Sequence, residues 1–243
     1  MNAIELSGLT HRYEGAEMRF DLGVAKGEWL ALIGPSGAGK STLLDLVAGF
    51  LPPESGTLRL LGEDYTRAEP AARPIGMMFQ DNNLFAHLTA EENIAIGLEP
   101  RARFSRAARL RAREALHAIG LEALAQRRPA DMSGGERQRV ALARLFLRER
   151  PILLLDEPFA ALGPALRQDM LALVAALRER AGIRPTIVMV THHPEDARGF
   201  ADRIAFLEQG RIHLTGSVDA VLDREPDPRL RSYLGERPII TGP

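Results

Sequence analysis

The 243-residue chain contains no cysteine, which excludes disulfide bonds, thiol chemistry and cysteine-rich zinc sites. No apolar run approaches the ~20 residues of a membrane-spanning helix. Residues 1–6 also lack the basic segment and apolar segment of a signal peptide. The net charge of −1 gives no general attraction to nucleic acid. We therefore expect a cytoplasmic protein that has no nucleic-acid partner and that meets a membrane only through another subunit.

Lysine is also scarce. Of the 31 lysine and arginine residues, only Lys26 and Lys40 are lysines. Lys40 lies in the sequence G-P-S-G-A-G-K-S-T, between an apolar run at 29–33 and a helical pattern at 43–48. This is the pattern G-x-x-x-x-G-K-[ST] between a strand and a helix, which predicts a phosphate-binding P-loop. Because such a loop needs a compact ammonium group and not a planar guanidinium, a lysine here in an arginine-rich chain supports the prediction.

The predicted loop gives its residues distinct roles. Its glycines let backbone N–H groups point at phosphate oxygens, and the following helix adds its positive end. Lys40 would reach the outer phosphates and Ser41 would ligate Mg²⁺. An ordinary glycine-rich turn with an incidental lysine is the alternative. The predicted nucleotide-binding residues of this loop are Gly34, Pro35, Ser36, Gly37, Ala38, Gly39, Lys40, Ser41 and Thr42.

Two later apolar strands end in polar side chains. Residues 152–155 are consecutively apolar, as in a central parallel strand, and Asp156 and Glu157 follow them. Ligands bind at the carboxyl ends of such strands, so one of these carboxylates is expected near Mg²⁺. Solvated acids at a strand end are the alternative. Residues 186–190 are predicted to form the next strand. His192 follows it and would position a γ-phosphate. A structural histidine is the alternative.

The composition changes in the middle of the chain. Residues 89–128 contain no strand-like run and are rich in alanine, arginine and glutamate at helical spacing. Ser105 is predicted to cap one helix there, and Gly120 to end it. We interpret 84–148 as a helical subdomain inserted into an α/β core of the RecA-like P-loop NTPase type. The core then comprises 1–83 and 149–222, followed by a peripheral tail at 223–243.

The segment D-M-S-G-G-E-R-Q-R opens the last helix of this subdomain. Ser133 and Glu136, three residues apart, form a capping box, which by itself is a structural feature. Gly134 and Gly135 are unusual in a cap. They would let a ligand approach the backbone closely at the positive helix end, which suits an anion.

The N-terminal residues predict an antiparallel β subdomain. Residues 3–7 and 18–24 read as short strands, with a turn at 11–15 between them. Tyr13 in that turn is one of three tyrosines and would stack on adenine. An ordinary, partly exposed tyrosine is the alternative.

Six of these elements, in this order, resemble the nucleotide-binding subunit of ATP-binding-cassette (ABC) transporters. They are Tyr13, the Walker A loop at 34–42, a Q-loop glutamine at Gln80, the signature at 132–138, Walker B at 152–157 and a switch histidine at His192. The signature L-S-G-G-Q has Met132 in place of leucine and Glu136 in place of glutamine. Among these elements, the signature within a helical insert is the most specific to the family.

The resemblance implies a mechanism. Two copies pair head to tail, and each ATP lies between the Walker A loop of one copy and Ser133, Gly134 and Gly135 of the other. The residues that interact with the Mg²⁺ are Asp156, Ser41 and Gln80, and Gln80 also couples metal occupancy to the membrane partner. Glu157 polarises the attacking water. The implied catalytic residues are Glu157, His192, Lys40 and Gln80.

The resemblance also implies partners and a location. These are two membrane permease subunits or one fused permease, and indirectly a periplasmic substrate-binding protein. The chain would be peripheral, at the cytoplasmic face of the bacterial inner membrane.

The short length, residues 18–20 and residues 80–85 are most similar to the ATPases of thiamine importers. Iron, polyamine and sulfate importers are the near alternatives. A non-transport ABC ATPase and a P-loop kinase come from other classes, and a kinase would lack Ser133-Gly134-Gly135.

One departure concerns the D-loop, where the family usually has aspartate and this chain has Gly163. We expect weaker communication between the two ATP sites, with hydrolysis retained.

Overall fold

A computed structural model describes residues 1–13, 15–79, 83–100, 103–224 and 227–235, except for the side chain of Tyr13. The chain divides into two compact units. The first unit contains residues 1–74 and those from 186 onward, and the second contains residues 75–185. Within the described ranges, no helix is both long enough and apolar enough to cross a membrane.

The secondary structure is mixed. The described strands are β1 (Asn2–Tyr13), β2 (Ala16–Ala25), β3 (Trp29–Ile33), β4 (Ser55–Leu60), β5 (Glu63–Asp64), β6 (Ile75–Met78), β7 (Ile152–Asp156), β8 (Thr186–Val190), β9 (Arg203–Glu208) and β10 (Arg211–Ser217). The described α-helices are α1 (Lys40–Ala48), α2 (Ala90–Ala95), α3 (Arg106–Ala118), α4 (Gly134–Leu147), α5 (Pro164–Arg180) and α6 (Pro228–Leu234).

The strands of the first unit run in the order β5-β4-β1-β2-β10-β9-β3-β8. β1 pairs with β2 and β4 in antiparallel register, whereas β3 is parallel to both β8 and β9. Burial alternates along β2, but every residue of β3 and β8 is buried, as expected for strands covered on both faces. The predicted α/β P-loop NTPase core and antiparallel N-terminal sheet are therefore confirmed.

The turn predicted at 11–15 is shorter than expected. β1 continues to Tyr13, which pairs with Ala16 at the start of β2. The cross-strand ladder therefore extends through His11, Arg12 and Tyr13, which the sequence analysis above assigns to a turn. Strand pairing outweighs the local preference of these few residues.

The second unit contains the parallel pair β6 and β7 and the helices α2 to α5. Ser105 caps α3 as predicted, because its side chain accepts a hydrogen bond from the N–H of Ala108. The fully buried Glu91 in α2 accepts hydrogen bonds from Arg109 and Arg113 of α3, at 3.2 and 2.7 Å. The helices enclose a shared apolar core formed by Ile94, Ala112, Leu116, Met132 and Val140.

A buried arginine ends the helix that follows the P-loop. Arg73, only 3% exposed, donates from Nη1 to the carbonyls of Leu46 and Val47, at 2.8 and 2.7 Å. These are carbonyls of the last turn of α1, which have no partner within the helix. Gly49 has φ +88°, and a Cβ there would lie 2.6 Å from Arg73 Nε. The chain therefore needs glycine at 49 both for the left-handed turn and for the approach of the guanidinium.

Replacing Arg73 tests this interaction. We expect Arg73→Ala to lower the free energy of unfolding by about 3 kcal/mol, because it leaves buried carbonyls without a charged donor. Urea denaturation measures the change. Arg59→Ala on the exposed side of β4 is the control and should stay within about 0.5 kcal/mol of the parent. Equal effects of the two substitutions would contradict the capping role.

Candidate nucleotide-binding site

The glycine-rich loop lies between β3 and α1, as the sequence predicts. Gly34, Gly37 and Gly39 have φ values of +152°, +76° and +102°, in the region that favours glycine. A Cβ at Gly34 would lie 1.9 Å from the carbonyl oxygen of Leu207. Gly34 therefore cannot be replaced without moving β9 or the loop.

Lys40 is held inside the loop. The residue is 5% exposed, and its Nζ donates to the carbonyl oxygens of Gly34 and Pro35, both at 2.8 Å. These bonds tie the first residue of α1 to the start of the loop. Ser36, Gly37 and Ser41 are exposed, so the outer rim of the loop is open to a ligand. A buried ammonium group beneath an open glycine rim, at the positive end of a helix, suits the phosphates of a nucleotide.

The turn between β9 and β10 supports the loop from beneath. The N–H of Gly210 donates to the carbonyl of Ala38 at 2.9 Å, and the carbonyl of Gly210 accepts from the N–H of Arg19 at the same distance. A Cβ at Gly39 would lie 2.9 Å from Met18 Sδ. The sequence indicates a hairpin turn at Gln209-Gly210, but it carries no signal that this turn contacts the P-loop.

His192 and the P-loop come together at one edge of the first unit's sheet. β3 and β8 are adjacent and parallel, so Gly34 and Thr191 follow strands that end on the same side. His192 is half-buried there. Thr191 Oγ1 donates to Asp196 Oδ2 at 2.9 Å and accepts from the N–H of His193 at 3.0 Å. Thr191 and Asp196, which the sequence analysis did not single out, therefore fix the backbone around His192.

In the second unit, β7 ends at the predicted pair of carboxylates. Asp156 and Glu157 are both half-buried. Glu157 has φ +46°, which is uncommon for a residue with a side chain, and such conformations occur in turns and cluster at functional sites. Gln138 of α4 donates from Nε2 to the carbonyl of Pro158 at 3.2 Å. The backbone after the acidic pair is thereby fixed to the helix that carries the signature.

The capping box at the start of α4 is confirmed. The Oε2 atom of Glu136 accepts from the N–H and the hydroxyl of Ser133, at 2.7 and 2.9 Å. The N–H of Glu136 donates to Ser133 Oγ at 3.3 Å. Bonds from the Ser133 backbone and side chain, with help from Arg127 and Arg139, lower the pKa of Glu136. Ser133 and Gly134 are exposed, and a Cβ at Gly134 would meet nothing within 4 Å.

The predicted site residues are thus distributed over both units. The P-loop and His192 belong to the first unit. Asp156, Glu157 and the segment 133–135 belong to the second. Tyr13 ends β1, but its side chain lies outside what the structure describes. Gln80 also lies outside the described residues.

The buried strand, the glycine-rich loop and the lysine that opens α1 define a P-loop NTPase. A family model described as "ABC transporter" matches residues 18–160. The chain belongs to the ABC transporter family.

Curated relatives match nearly the whole chain. "Thiamine import ATP-binding protein ThiQ" of Brucella suis biovar 1 (strain 1330) is 48% identical over 233 residues, which is 96% of this chain and 96% of that protein. The protein of the same name from Salmonella typhimurium (strain LT2) is 50% identical over 220 residues, covering 90% of this chain and 92% of that protein.

Solved structures share the fold. The ADP conformation of MJ1267, an ATP-binding cassette of an ABC transporter, covers 98% of this chain and 100% of that chain, with TM-score 0.82 and 22% identity. CbiO1 from Clostridium perfringens, part of the ABC transporter complex cbiONQ, covers 90% of each chain, with TM-score 0.81 and 27% identity.

The contact between Gly210 and the P-loop predicts a selective loss of nucleotide binding. A Cβ at Gly210 would lie 2.6 Å from Met18 Cγ and 2.9 Å from Met18 Cα. We expect Gly210→Ala to displace the turn and with it Ala38, raising the dissociation constant for a fluorescent ATP analogue about tenfold or more.

Gly120→Ala is the matched control. Gly120 has φ +70°, close to the +71° of Gly210, but a Cβ there would meet nothing within 4 Å. Both substitutions carry the cost of a left-handed alanine, about 1–2 kcal/mol. Only Gly210→Ala should weaken nucleotide binding. Equal nucleotide affinities in the two variants would contradict the supporting role of the turn.

Proposed function

We propose that this chain is the ATP-hydrolysing subunit that drives thiamine import through a membrane permease, at the cytoplasmic face of the bacterial inner membrane. The observation that carries the ATPase part is the buried Lys40 beneath the open rim of the P-loop. The substrate assignment comes from the near-full-length similarity to thiamine import ATP-binding proteins.

The P-loop binds the phosphates in this proposal. The exposed rim offers backbone N–H groups, and Lys40 moves from the Gly34 and Pro35 carbonyls to the outer phosphates. Ser41 and Asp156, with Gln80, are the residues that would hold Mg²⁺. Bound there, Mg²⁺ would supply the neutralisation of charge that develops on the transferred phosphoryl group. The described residues contain no cluster of three or more acidic or histidine side chains, and a Mg²⁺ site of one or two carboxylates completed by phosphates needs none.

In phosphoryl transfer, most of the catalysis comes from positioning the reacting groups and from stabilising the charge on the phosphoryl group. Glu157 polarises the attacking water, and it follows directly after the last residue of β7. His192 contacts the γ-phosphate from a loop that Thr191 and Asp196 fix. Tyr13 stacks on the adenine.

A second copy of the chain completes each site. The exposed Ser133 and Gly134 lie at the start of the 14-residue helix α4. The positive end of this helix, with the close approach that the glycines allow, fits the phosphates of an ATP bound to the opposite P-loop. The two copies pair head to tail, so the dimer closes over two ATP molecules.

A groove in the second unit fits a helix of the permease. It has a volume of about 330 Å³, and its lining includes apolar side chains such as Met78, Ile96 and Phe85 and the two arginines Arg144 and Arg148. Phe85 is 44% exposed, and Arg144 lies 5.9 Å from its ring centroid. Burial lowers the pKa of both arginines, and arginine stays charged nonetheless. An apolar groove with two cations suits a short amphipathic helix that carries an acidic side chain.

Reconstitution with the permease tests the proposal. We expect the complex in lipid nanodiscs to hydrolyse ATP, with stimulation by a thiamine-loaded binding protein. Glu157→Gln should abolish hydrolysis while ATP still binds, because the amide cannot polarise water. Release of free phosphate, measured continuously, is the readout.

A variant of the groove separates coupling from catalysis. Arg148→Glu should retain the hydrolysis of the isolated chain but lose stimulation by the permease. Stimulation by an iron, polyamine or sulfate binding protein in place of the thiamine-loaded one would contradict the substrate assignment. Phosphate transfer to a small-molecule acceptor instead of water would contradict the reaction.

Gly163 in the D-loop is compatible with a larger side chain. It occupies the N-cap of α5 with φ −65° and ψ 160°, and a Cβ there would meet nothing within 4 Å. No side chain caps this helix end. We propose that the missing carboxylate weakens communication between the two ATP sites of the dimer.

Gly163→Asp tests that part of the proposal. Aspartate is a favoured N-cap, so the substitution should raise the free energy of unfolding by a few tenths of a kcal/mol. The Hill coefficient for ATP hydrolysis should rise toward 2, the number of sites in the proposed dimer. A stabilised protein with an unchanged Hill coefficient and turnover would mean that Gly163 has no role in communication.

A further inference from the structure

The hydroxyl of Ser133 is engaged by Glu136 in the free chain. Glu136 Oε2 accepts from Ser133 Oγ at 2.9 Å and from Ser133 N at 2.7 Å. A serine hydroxyl has a single proton to donate. The group that would donate to a phosphate therefore already donates to a carboxylate of the same helix end.

The capping box at the start of α2 does not engage a hydroxyl proton. It joins Thr89 and Glu92 through two backbone N–H groups: Thr89 N donates to Glu92 Oε2 at 3.0 Å, and Glu92 N donates to Thr89 Oγ1 at 3.2 Å. A capping box is thus complete without engaging the hydroxyl proton. The third bond, between Ser133 Oγ and Glu136, exceeds what helix capping requires.

The carboxylate also brings a negative charge to this helix end. The same bonds from Ser133 lower the pKa of Glu136, and Arg127 and Arg139 contribute in the same direction. Glu136 is therefore ionised at neutral pH. A triphosphate that approaches Ser133 meets this charge at close range, and like charges there oppose binding.

We infer that Glu136 is a positioning residue that weakens the closure of the 133–135 segment over the ATP of a second copy, by holding the Ser133 hydroxyl and by opposing the phosphate charge. The inference rests on the proposed head-to-tail dimer. Glu136 acts through Ser133 and through its charge, with no chemical step of its own. A weaker closure lowers the occupancy of the closed dimer at a given ATP concentration and favours its reopening.

The test measures ATP-dependent self-association in the Glu157→Gln background, where ATP is not consumed. Glu136→Gln removes the charge and weakens the hold on the Ser133 hydroxyl, because a neutral amide oxygen accepts a hydrogen bond less strongly than a carboxylate does. The amide oxygen can still accept from Ser133 N, so the cap is retained. We expect this variant to lower the dimer dissociation constant at least about tenfold, equivalent to about 1.4 kcal/mol. Its thermal unfolding midpoint without nucleotide should be no higher than that of the parent, because the helix end loses a stabilising carboxylate. Sedimentation velocity with saturating Mg-ATP is the measurement.

Glu92→Gln is the matched control, because it removes a carboxylate from the other capping box and should leave the dimer dissociation constant unchanged. Varying the salt concentration gives a second measurement, which a purely structural role of Glu136 would leave unchanged. The difference between Glu136→Gln and the parent should shrink as ionic strength rises from about 0.01 M to about 1 M, where the Debye length falls from about 30 Å to about 3 Å.

The outcomes separate the inference from the function on which it rests. An ATP-dependent dimer that Glu136→Gln does not tighten, or that Glu92→Gln tightens equally, would overturn the role of Glu136. The absence of any ATP-dependent dimer in all variants, including the Glu157→Gln parent at high protein concentration, would overturn the proposed pairing itself.

Discussion

The hydrogen bond from Gly210 N–H to the Ala38 carbonyl sets the position of the nucleotide loop. A P-loop works only if its backbone N–H groups converge on one point, and a glycine-rich segment has no stiffness of its own. Here contacts with neighbouring residues and bonds within the loop supply the stiffness. Gly210 holds the middle of the loop, the Leu207 carbonyl fills the space beside Gly34, and Lys40 ties the loop to the start of α1. The phosphate-binding geometry is thus a property of the surrounding sheet.

Helix ends carry much of the remaining chemistry. The carbonyl end of α1 is closed by Arg73, and its positive end directly follows the loop. The positive end of α4 is closed by Ser133 and Glu136, and the proposed function places Ser133 against ATP. The same groups that stabilise the helix therefore compete with the ligand for hydrogen bonds. Stability and binding are coupled at this end of α4, and Glu136 is the side chain through which they are coupled.

The sequence predicts the features that depend on neighbours along the chain. Each of these features follows from a few consecutive residues and is found at its predicted position in the chain: the P-loop, the Ser105 cap, the Ser133 box and the two carboxylates at the end of β7. Contacts between distant residues are not predicted. Met18 and Gly210 are far from Gly39 in sequence, and nothing in their local patterns indicates that they meet.

The same reason explains two other differences. The β1–β2 turn is shorter than its composition indicates, because pairing with the opposite strand extends both β1 and β2. In the sequence, nothing distinguishes Arg73 from the other arginines. Its role appears only when the fold brings the end of α1 to it. The role of Thr191 and Asp196 is likewise visible only in the fold, where their hydrogen bonds fix the loop around His192.

The central claim is that the nucleotide loop is fixed by the turn beneath it before any nucleotide binds. Amide hydrogen exchange at Gly210, followed by NMR in the nucleotide-free protein, measures this directly. The account predicts slow exchange of this amide without ATP, comparable with that of the paired amides of β9 and β10. Exchange at the rate of an unstructured peptide, with protection only after ATP is added, would show that the nucleotide orders the loop and would contradict the account.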